Sequence, residues 1–347
     1  MENQTMRTTL IAVAVLGALS APSFADDNNI TLYGQVNVAG LYKNDGATKQ
    51  FKVDSAYTGS RIGIKGQESL GNGLKAFFQV ETKIRPDDAT EGSFGSREGW
   101  VGLQSEFGKV SLGRGKTPYT NIADWFDNYV DLANGLAVQE NKQANGGNVL
   151  DSRWNNAVRF DSQDINGFTM SAMVGAGENK DNAKGVKASN NAALSGRYVL
   201  GPMQLGAAYA SQKNKDSGTV TTGSQIGNHS AFLLAGSYAI DEFTVALGFQ
   251  AGKVDSSVPG QDTKRNSFLM AASYQLGATN LRAGAIINDK LKKDGVKVAD
   301  SDFVRYSLGA KHNLSKRTAL VAEVSGDKNK GATKNLTYVG VGAMHAF

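Results

Sequence analysis

Residues 30–38 read Ile-Thr-Leu-Tyr-Gly-Gln-Val-Asn-Val, and apolar and polar side chains alternate along this stretch. Ile30, Leu32 and Val36 fall on one face of an extended chain, while Gln35 falls on the other. Successive side chains of a β-strand point to opposite sides, so a period of two predicts a strand with one apolar and one polar face.

The same alternation recurs along the chain, around residues 61–65, 74–81, 168–174, 203–209, 232–238, 243–249, 268–276 and 281–287. The connections alternate too: short ones at 163–167, 200–202, 240–242, 276–279 and 314–316, and long polar ones at 177–190, 214–227, 254–265 and 289–301. Tight turns at one end and long loops at the other are typical of a transmembrane β-barrel. The pattern predicts an all-β fold, a 16-stranded antiparallel barrel formed by residues 26–347.

Membrane insertion explains why these features occur together. Every backbone donor and acceptor must be paired inside lipid, so a sheet there has to close on itself. The outer face is then apolar and a wide lumen stays polar, which is compatible with a mean hydropathy of −0.32. Aromatic girdles are expected from Tyr33, Tyr209, Tyr238, Phe243, Phe268 and Tyr274. The strands of a soluble β-sandwich also alternate between apolar and polar side chains. A sandwich does not explain why short and long connections alternate along this chain.

The N-terminus predicts export. Arg7 precedes an apolar run at 10–19, and the small residues Ser23 and Ala25 follow. This arrangement is typical of a signal peptide over residues 1–25, with translation starting at Met1 or Met6. The chain of 347 residues has 41 Gly, no Cys and a net charge of +5. The basic residues are spread along the chain, and we expect no nucleic-acid binding.

The interval from about 116 to 150 has neither strand alternation nor regular turn spacing. Long loops without structure of their own are uncommon and usually functional. We expect this loop to fold inside the ring of strands and to face the arginines on either side of it, Arg97, Arg114, Arg153 and Arg159. Asp124, Asp127 and Asp131 are its candidate acids, because spacings of three and four place them on one side of a helical turn. Glu140 is the alternative.

Further motifs lie at residues 31–36, 60–66, 68–76, 94–103, 107–108, 113–114, 314–318 and 339–347. Together these stretches resemble the general trimeric porins of Gram-negative outer membranes, in particular the neisserial and β-proteobacterial type. The resemblance implies a homotrimer in the cell outer membrane, with an inward-folded third loop that forms a constriction. It also implies contact with outer-membrane lipid and lipopolysaccharide, and recognition of Phe347 by the barrel-assembly machinery. Counting back by twos from Phe347 places Val341 and Val339 on the lipid side.

The resemblance also implies basic residues on the barrel wall, facing the loop acids. Matched motif by motif, they are Arg61, Arg97 and Arg153, with Lys75 and Arg114 as further candidates. The alternation of side chains along each strand independently places Arg61 and Lys75 on the polar faces of their strands. Adjacent strand residues cannot both face the lumen, so we expect Arg97 to point inward and Glu98 to lie on a face covered by a neighbouring subunit.

Together these features predict a passive, water-filled diffusion channel for small polar solutes and ions, with a mild preference for anions. A substrate-specific channel for a sugar or an organic acid, or an adhesin or receptor on the same barrel, are the alternatives. Clustered aromatics at Trp125, Phe126 and Tyr129 would suit the substrate-specific channel. The three His residues lack metal-ligand spacing, and no catalytic motif is present. We therefore expect no enzyme, no metal and no cofactor.

Overall fold

The computed structural model describes residues 29–56, 59–88, 93–127, 129, 153–178, 187–215, 227–256, 259–331 and 335–347. The predicted signal peptide lies outside these residues. The strands are β1 (Asn29–Asn44), β2 (Lys49–Ser55), β3 (Ser60–Gly71), β4 (Leu74–Ile84), β5 (Glu98–Ser105), β6 (Gly108–Lys116), β7 (Arg153–Ser162), β8 (Phe168–Ala176), β9 (Asn190–Leu200), β10 (Met203–Lys215), β11 (Gly227–Ile240), β12 (Phe243–Ser256), β13 (Thr263–Leu276), β14 (Thr279–Asn288), β15 (Lys292–Lys293), β16 (Val296–Lys297), β17 (Phe303–Asn313), β18 (Thr318–Asn329) and β19 (Leu336–Ala346). One helix, α1 (Pro118–Asp127), follows β6.

The strands form one antiparallel sheet that closes when β1 pairs with β19. β2 and β3 both pair with β1 and together make one span, while β15 and β16 form a small hairpin between β14 and β17. The remaining strands, with β2 and β3 taken together, make a closed barrel of 16 antiparallel spans. The predicted fold class is confirmed.

Alternation along the strands separates a lipid face from a lumen face. Leu247 is 65% exposed and Val341 is 67% exposed, although both lie in the middle of regular strands. Their neighbours point into the barrel, as Ala246 shows with an exposure of 2%. Exposed apolar side chains on this scale would be unfavourable in water, so the outer surface is built for hydrocarbon.

Tyr33 departs from its expected place in an aromatic girdle. Its hydroxyl oxygen accepts a hydrogen bond of 2.8 Å from the side-chain amide of Gln79, and the Lys65 amine lies 5.4 Å from its ring centroid. Gln79 and Lys65 point into the lumen. Tyr33 points the same way, because along β1 it has the parity of Gln35 rather than that of Leu32. The girdle prediction is therefore wrong for this residue.

Short turns connect the strands at one end of the barrel, where the backbone needs a positive φ. Asn72, Asn166 and Asp241 adopt φ between 49° and 54°, which Asn and Asp tolerate better than most residues. The predicted tight connections at 163–167 and 240–242 are thus built from residues suited to sharp reversal. In outer-membrane barrels this end is periplasmic and the long loops are extracellular.

The extracellular loop between β14 and β17 is anchored to the barrel rim. The Arg265 guanidinium donates to the Ser301 carbonyl at 2.8 Å, and the Leu291 side chain is 7% exposed. The loop hairpin continues the sheet because β15 pairs with the end of β13. No helix in the described ranges is long and apolar enough to serve as a membrane span.

Candidate functional site

Helix α1 begins with favourable capping chemistry directly after β6. The Thr120 amide donates to the Thr117 hydroxyl at 3.1 Å, which satisfies one of the free N–H groups at a helix start. Pro118 occupies the first helical position, where its missing N–H costs nothing. The sequence therefore turns from strand to helix within two residues.

Helix α1 lies against the inner wall formed by β8 to β13. Ile122 and Phe126 are 2% and 1% exposed, and they face a stretch of wall made of small side chains. The wall residues of this apolar cluster include Ala193, Ala208, Ala210, Ala231, Ala235, Ala246 and Ala271. A Cβ at Gly248 would lie 2.7 Å from the Phe126 ring, so glycine is needed there for the ring to fit. Small wall residues thus make the seat for the helix.

A cleft of about 380 Å³ lies in the lumen, lined by the opposite wall and by one residue of the helix. The helix contributes Asn121. The wall contributes Arg61, Phe77, Gln79, Glu81, Arg97, Glu98, Trp100, Lys109, Ser111, Lys116, Arg153, Arg159 and Asp161. Six of these side chains are basic and three are acidic, so the described part of the lining carries a formal excess of three positive charges.

Two carboxylates stand directly opposite each other in this cleft. Glu81 on β4 pairs in register with Glu98 on β5, an arrangement that is destabilising unless cations compensate it. Arg97 Nε lies 2.5 Å from Glu81 Oε1, and Arg61 Nε lies 3.5 Å from Glu81 Oε2. Arg153 Nε lies 3.4 Å from Glu98 Oε1. Three arginines therefore hold the pair of carboxylates together.

A second ion pair borders the first. The Arg159 guanidinium donates to both Asp161 carboxylate oxygens, at 2.7 and 2.8 Å. The same guanidinium donates to the Lys116 carbonyl at 2.6 Å, at the junction of β6 and α1. Arg159 thus fixes the place where the chain leaves the wall, in addition to supplying positive charge.

The structure brings three of the five predicted wall residues together: Arg61, Arg97 and Arg153 line the cleft. Arg114 lies outside this lining, and its Nε donates to the Ser96 carbonyl at 3.0 Å. Lys75 has the parity of the lumen residues Phe77 and Gln79, but it lies near the short-turn end, opposite Gln104.

The prediction for Glu98 is wrong. Its carboxylate points into the lumen, where it accepts hydrogen bonds from Trp100 Nε1 at 2.7 Å and from Arg153. Arg97 also points inward, because it precedes the first residue of β5 and is not bound by strand alternation. Its backbone N–H donates to the Glu81 carbonyl at 3.0 Å, as at a strand end.

Among the predicted loop acids, Asp124 forms an ion pair with Lys116 and does not line the cleft. Asp127 ends helix α1, so these two acids do share a helix. The side chain of Asp127, and Asp131 and Glu140 entirely, lie outside the described residues.

Three basic lining residues, Lys109, Lys116 and Arg159, are not among the five predicted wall residues. Lys109 and Arg159 alternate with the outward residues Val110 and Val158, so strict parity could have found them. Lys116 could not be found in this way, because it is the last residue of β6 before helix α1, where strand alternation ends.

Strands β17 and β18 carry a further ion pair that sequence reasoning also missed. Arg305 on β17 contacts both carboxylate oxygens of Asp327 on β18, at 2.6 and 2.7 Å, and is 1% exposed. The positive charge of Arg305 and the negative charge of Asp327 cancel, so this buried pair adds no net charge to the wall. In the described ranges, no group of three or more His, Asp or Glu side chains could hold a metal ion.

Phe347 lies at the seam of the barrel. Its backbone N–H donates to the Gly34 carbonyl and its carbonyl accepts from the Gly34 N–H, both at 3.1 Å. A Cβ at Gly34 would lie 2.6 Å from the Phe347 ring, so the ring covers the glycine. Val341 and Val339, six and eight positions before Phe347, face outward as predicted.

Comparison with known proteins shows which family has this barrel. The family model described as Gram-negative porin matches residues 12–332. The chain is 29% identical to outer membrane porin protein 32 of Delftia acidovorans and 30% identical to major outer membrane protein P.IB of Neisseria sicca, with 99% of this chain and 100% of each relative covered. An anion-selective porin from Comamonas acidovorans has a similar structure, at 26% identity and a TM-score of 0.77, with 92% of this chain and 100% of that chain covered. The chain belongs to the Gram-negative porin family.

Proposed function

We propose that this outer-membrane porin is a general diffusion channel for small hydrophilic solutes and ions, with a mild preference for anions. The observation that carries the preference is the charge of the cleft, with six basic and three acidic side chains. Fixed charges lining a narrow aqueous passage select ions by sign. Because half of the basic charge is compensated by wall carboxylates, the preference is mild rather than strict.

The aromatic side chains of the loop give no support to a substrate-specific channel. Phe126 is buried against the wall, and Trp125 lies under the Arg197 guanidinium, 5.7 Å from its ring. Tyr129 also packs against the apolar cluster. These aromatics hold the helix in place, and none of them lines the cleft. Passive transport needs no catalytic residue, and we assign none.

Reversal potentials across a planar bilayer test the proposal. We expect anions to carry more of the current than cations at 0.1 M KCl. The preference should fade towards 1 M, because the screening length falls from about 10 Å to about 3 Å. A cation preference at low salt would contradict the proposal. A preference unchanged at 1 M would show that the lining charges do not set the selectivity.

Removal of one wall acid should shift selectivity in the opposite direction from removal of a base. We expect Glu81→Gln to raise the anion-to-cation permeability ratio about two-fold, because a unit charge about 8 Å from the ion path in water is worth about 0.5 kcal/mol. The reversal potential in a salt gradient measures the ratio. Glu242→Gln is the matched control, since Glu242 is exposed in a short turn outside the cleft. A ratio that falls, or that rises equally in the control, would count against this assignment.

Family membership also bears on assembly. We propose that the barrel forms a homotrimer, inserts next to outer-membrane lipid and lipopolysaccharide, and is recognised through Phe347 by the barrel-assembly machinery. The packing of Phe347 across the seam supports a place for it in closure of the barrel. Chemical cross-linking in mild detergent tests the trimer, and a purely monomeric product would contradict it.

A further inference from the structure

A row of lysines crosses four neighbouring strands at the extracellular end of the barrel. Lys253 on β12 pairs directly with Lys264 on β13, Lys264 pairs with Lys292 on β15, and Lys292 pairs with Lys297 on β16. Directly paired residues are about 5 Å apart and share one face of the sheet. Each pairing sets two like charges against each other, which is destabilising. Three such pairings in succession need a compensating partner.

The lysine row faces outward rather than into the lumen. Thr263 and Arg265, the neighbours of Lys264 on β13, are 1% and 3% exposed on the inner side. Lys264, Lys292 and Lys297 are themselves exposed. The hairpin that carries Lys292 and Lys297 is held on the rim through its pairing with β13. The row therefore follows the outer perimeter of the barrel.

Acidic residues nearby leave most of the row uncompensated. Asp255 lies 2.7 Å from the Lys253 amine. Asp262 and Asp294 are two residues further out, but their Oδ1 atoms accept backbone N–H groups of Ser256 and Asp262. In the described part of the chain, no carboxylate forms a salt bridge with Lys264, Lys292 or Lys297.

The position of the lysine row along the membrane normal indicates which part of the lipid it contacts. Phe249 and Phe268 pair on the same outer face, with ring centroids 5.2 Å apart, four residues nearer the middle of the barrel. Aromatic girdles mark the edge of the hydrocarbon. Four residues correspond to about 13 Å of strand, or about 9 Å along the membrane normal at a tilt of about 45°. The amines thus stand at the depth of the lipid headgroups.

We propose that the lysine row is a binding surface for the phosphate groups of outer-leaflet lipids. Lysine binds phosphate as a compact point charge, and basic side chains at a membrane surface attract anionic headgroups. Lipids pack side by side around the barrel, so a row along the perimeter meets several headgroups at one depth. This surface is separate from the cleft, so the proposal does not depend on ion selectivity.

Lipid binding by the purified full-length protein in detergent tests the proposal. The probes are diphosphorylated lipid A and the same lipid without its phosphates. We expect the double variant K264Q/K292Q to bind the phosphorylated lipid about ten-fold or more weakly than the unsubstituted protein. The control K316Q/R317Q removes two exposed charges from a turn at the opposite end and should bind normally. Conductance of both variants should be unchanged, which shows that the barrel is folded.

Three results would overturn the proposal. One is equal binding of the phosphorylated and dephosphorylated lipids. Another is the same affinity in K264Q/K292Q as in the K316Q/R317Q control. The third is retention of heparin, a soluble sulfated polyanion, through Lys264 and Lys292 while the phosphorylated lipid is not bound, which would assign the row to a ligand from solution.

Discussion

The triple variant R61Q/R97Q/R153Q is expected to lose its anion preference and to pass anions and cations almost equally. The substitutions leave Lys109, Lys116 and Arg159 against Glu81, Glu98 and Asp161, so the formal charge of the lining falls to zero. If each charge lies about 8 Å from the ion path in water, the three together contribute about 1.5 kcal/mol, or a permeability ratio of about ten-fold. Reversal potentials at 0.1 M KCl measure the change.

Arg114→Gln is the matched control for this prediction. Arg114 belongs to the same part of the barrel, but it bonds to the Ser96 carbonyl and does not line the cleft. We expect its substitution to leave the reversal potential unchanged. Equal shifts in R114Q and in the triple variant would show that the overall charge of the barrel, rather than the cleft, decides selectivity.

The second large effect concerns the seat of helix α1. Phe126→Ala removes a ring that is 1% exposed, and truncation of a buried Phe costs about 3–5 kcal/mol. The barrel itself is held by its strand pairing, so the loss falls on the docking of the helix. We expect a larger and noisier single-channel conductance. Phe232→Ala is the control, because Phe232 lies on the lipid face with 41% of its surface exposed.

Gly248 provides a sharper version of this experiment. Gly248→Ala places a methyl group 2.7 Å from the Phe126 ring, so the ring must move. In the background of Phe126→Ala that ring is gone, and the same methyl group should be harmless. We expect G248A to disturb conductance in the unsubstituted protein and to add nothing to F126A, a non-additive pair. Simple addition of the two effects would show that the ring and the glycine are not in contact.

The sequence was sufficient for the barrel but only partly sufficient for the cleft. Period-two alternation needs no knowledge of distant partners, so the strands and the outward position of Val341 could be read directly. The method failed at irregular strand ends, as at Arg97, which precedes β5, and at Lys116, the last residue of β6 before helix α1. Both irregularities depend on pairing with a neighbouring strand, which one segment of sequence does not contain.

The ion pairs of the cleft were even harder to predict from the sequence. Glu81 and Glu98 are seventeen positions apart in sequence and become opposed only through the register of β4 and β5. Sequence reasoning placed Glu98 on a face covered by a neighbouring subunit because it applied strand alternation to Arg97 and Glu98, although Arg97 lies before the start of β5. The helix seat was missed for a similar reason, since an alanine or glycine facing a lumen gives no sign of the Ile122 or Phe126 side chain that it accommodates.

The seam at Gly34 and Phe347 constrains how the protein can be made. Two backbone hydrogen bonds join Phe347 to the first strand, so both edges of the sheet stay unsatisfied until β19 pairs with β1. In hydrocarbon such bare edges are prohibitively unfavourable, and in water they invite pairing with other chains. Closure of the seam and entry into the bilayer are therefore expected to occur together, because neither water nor hydrocarbon suits an open sheet.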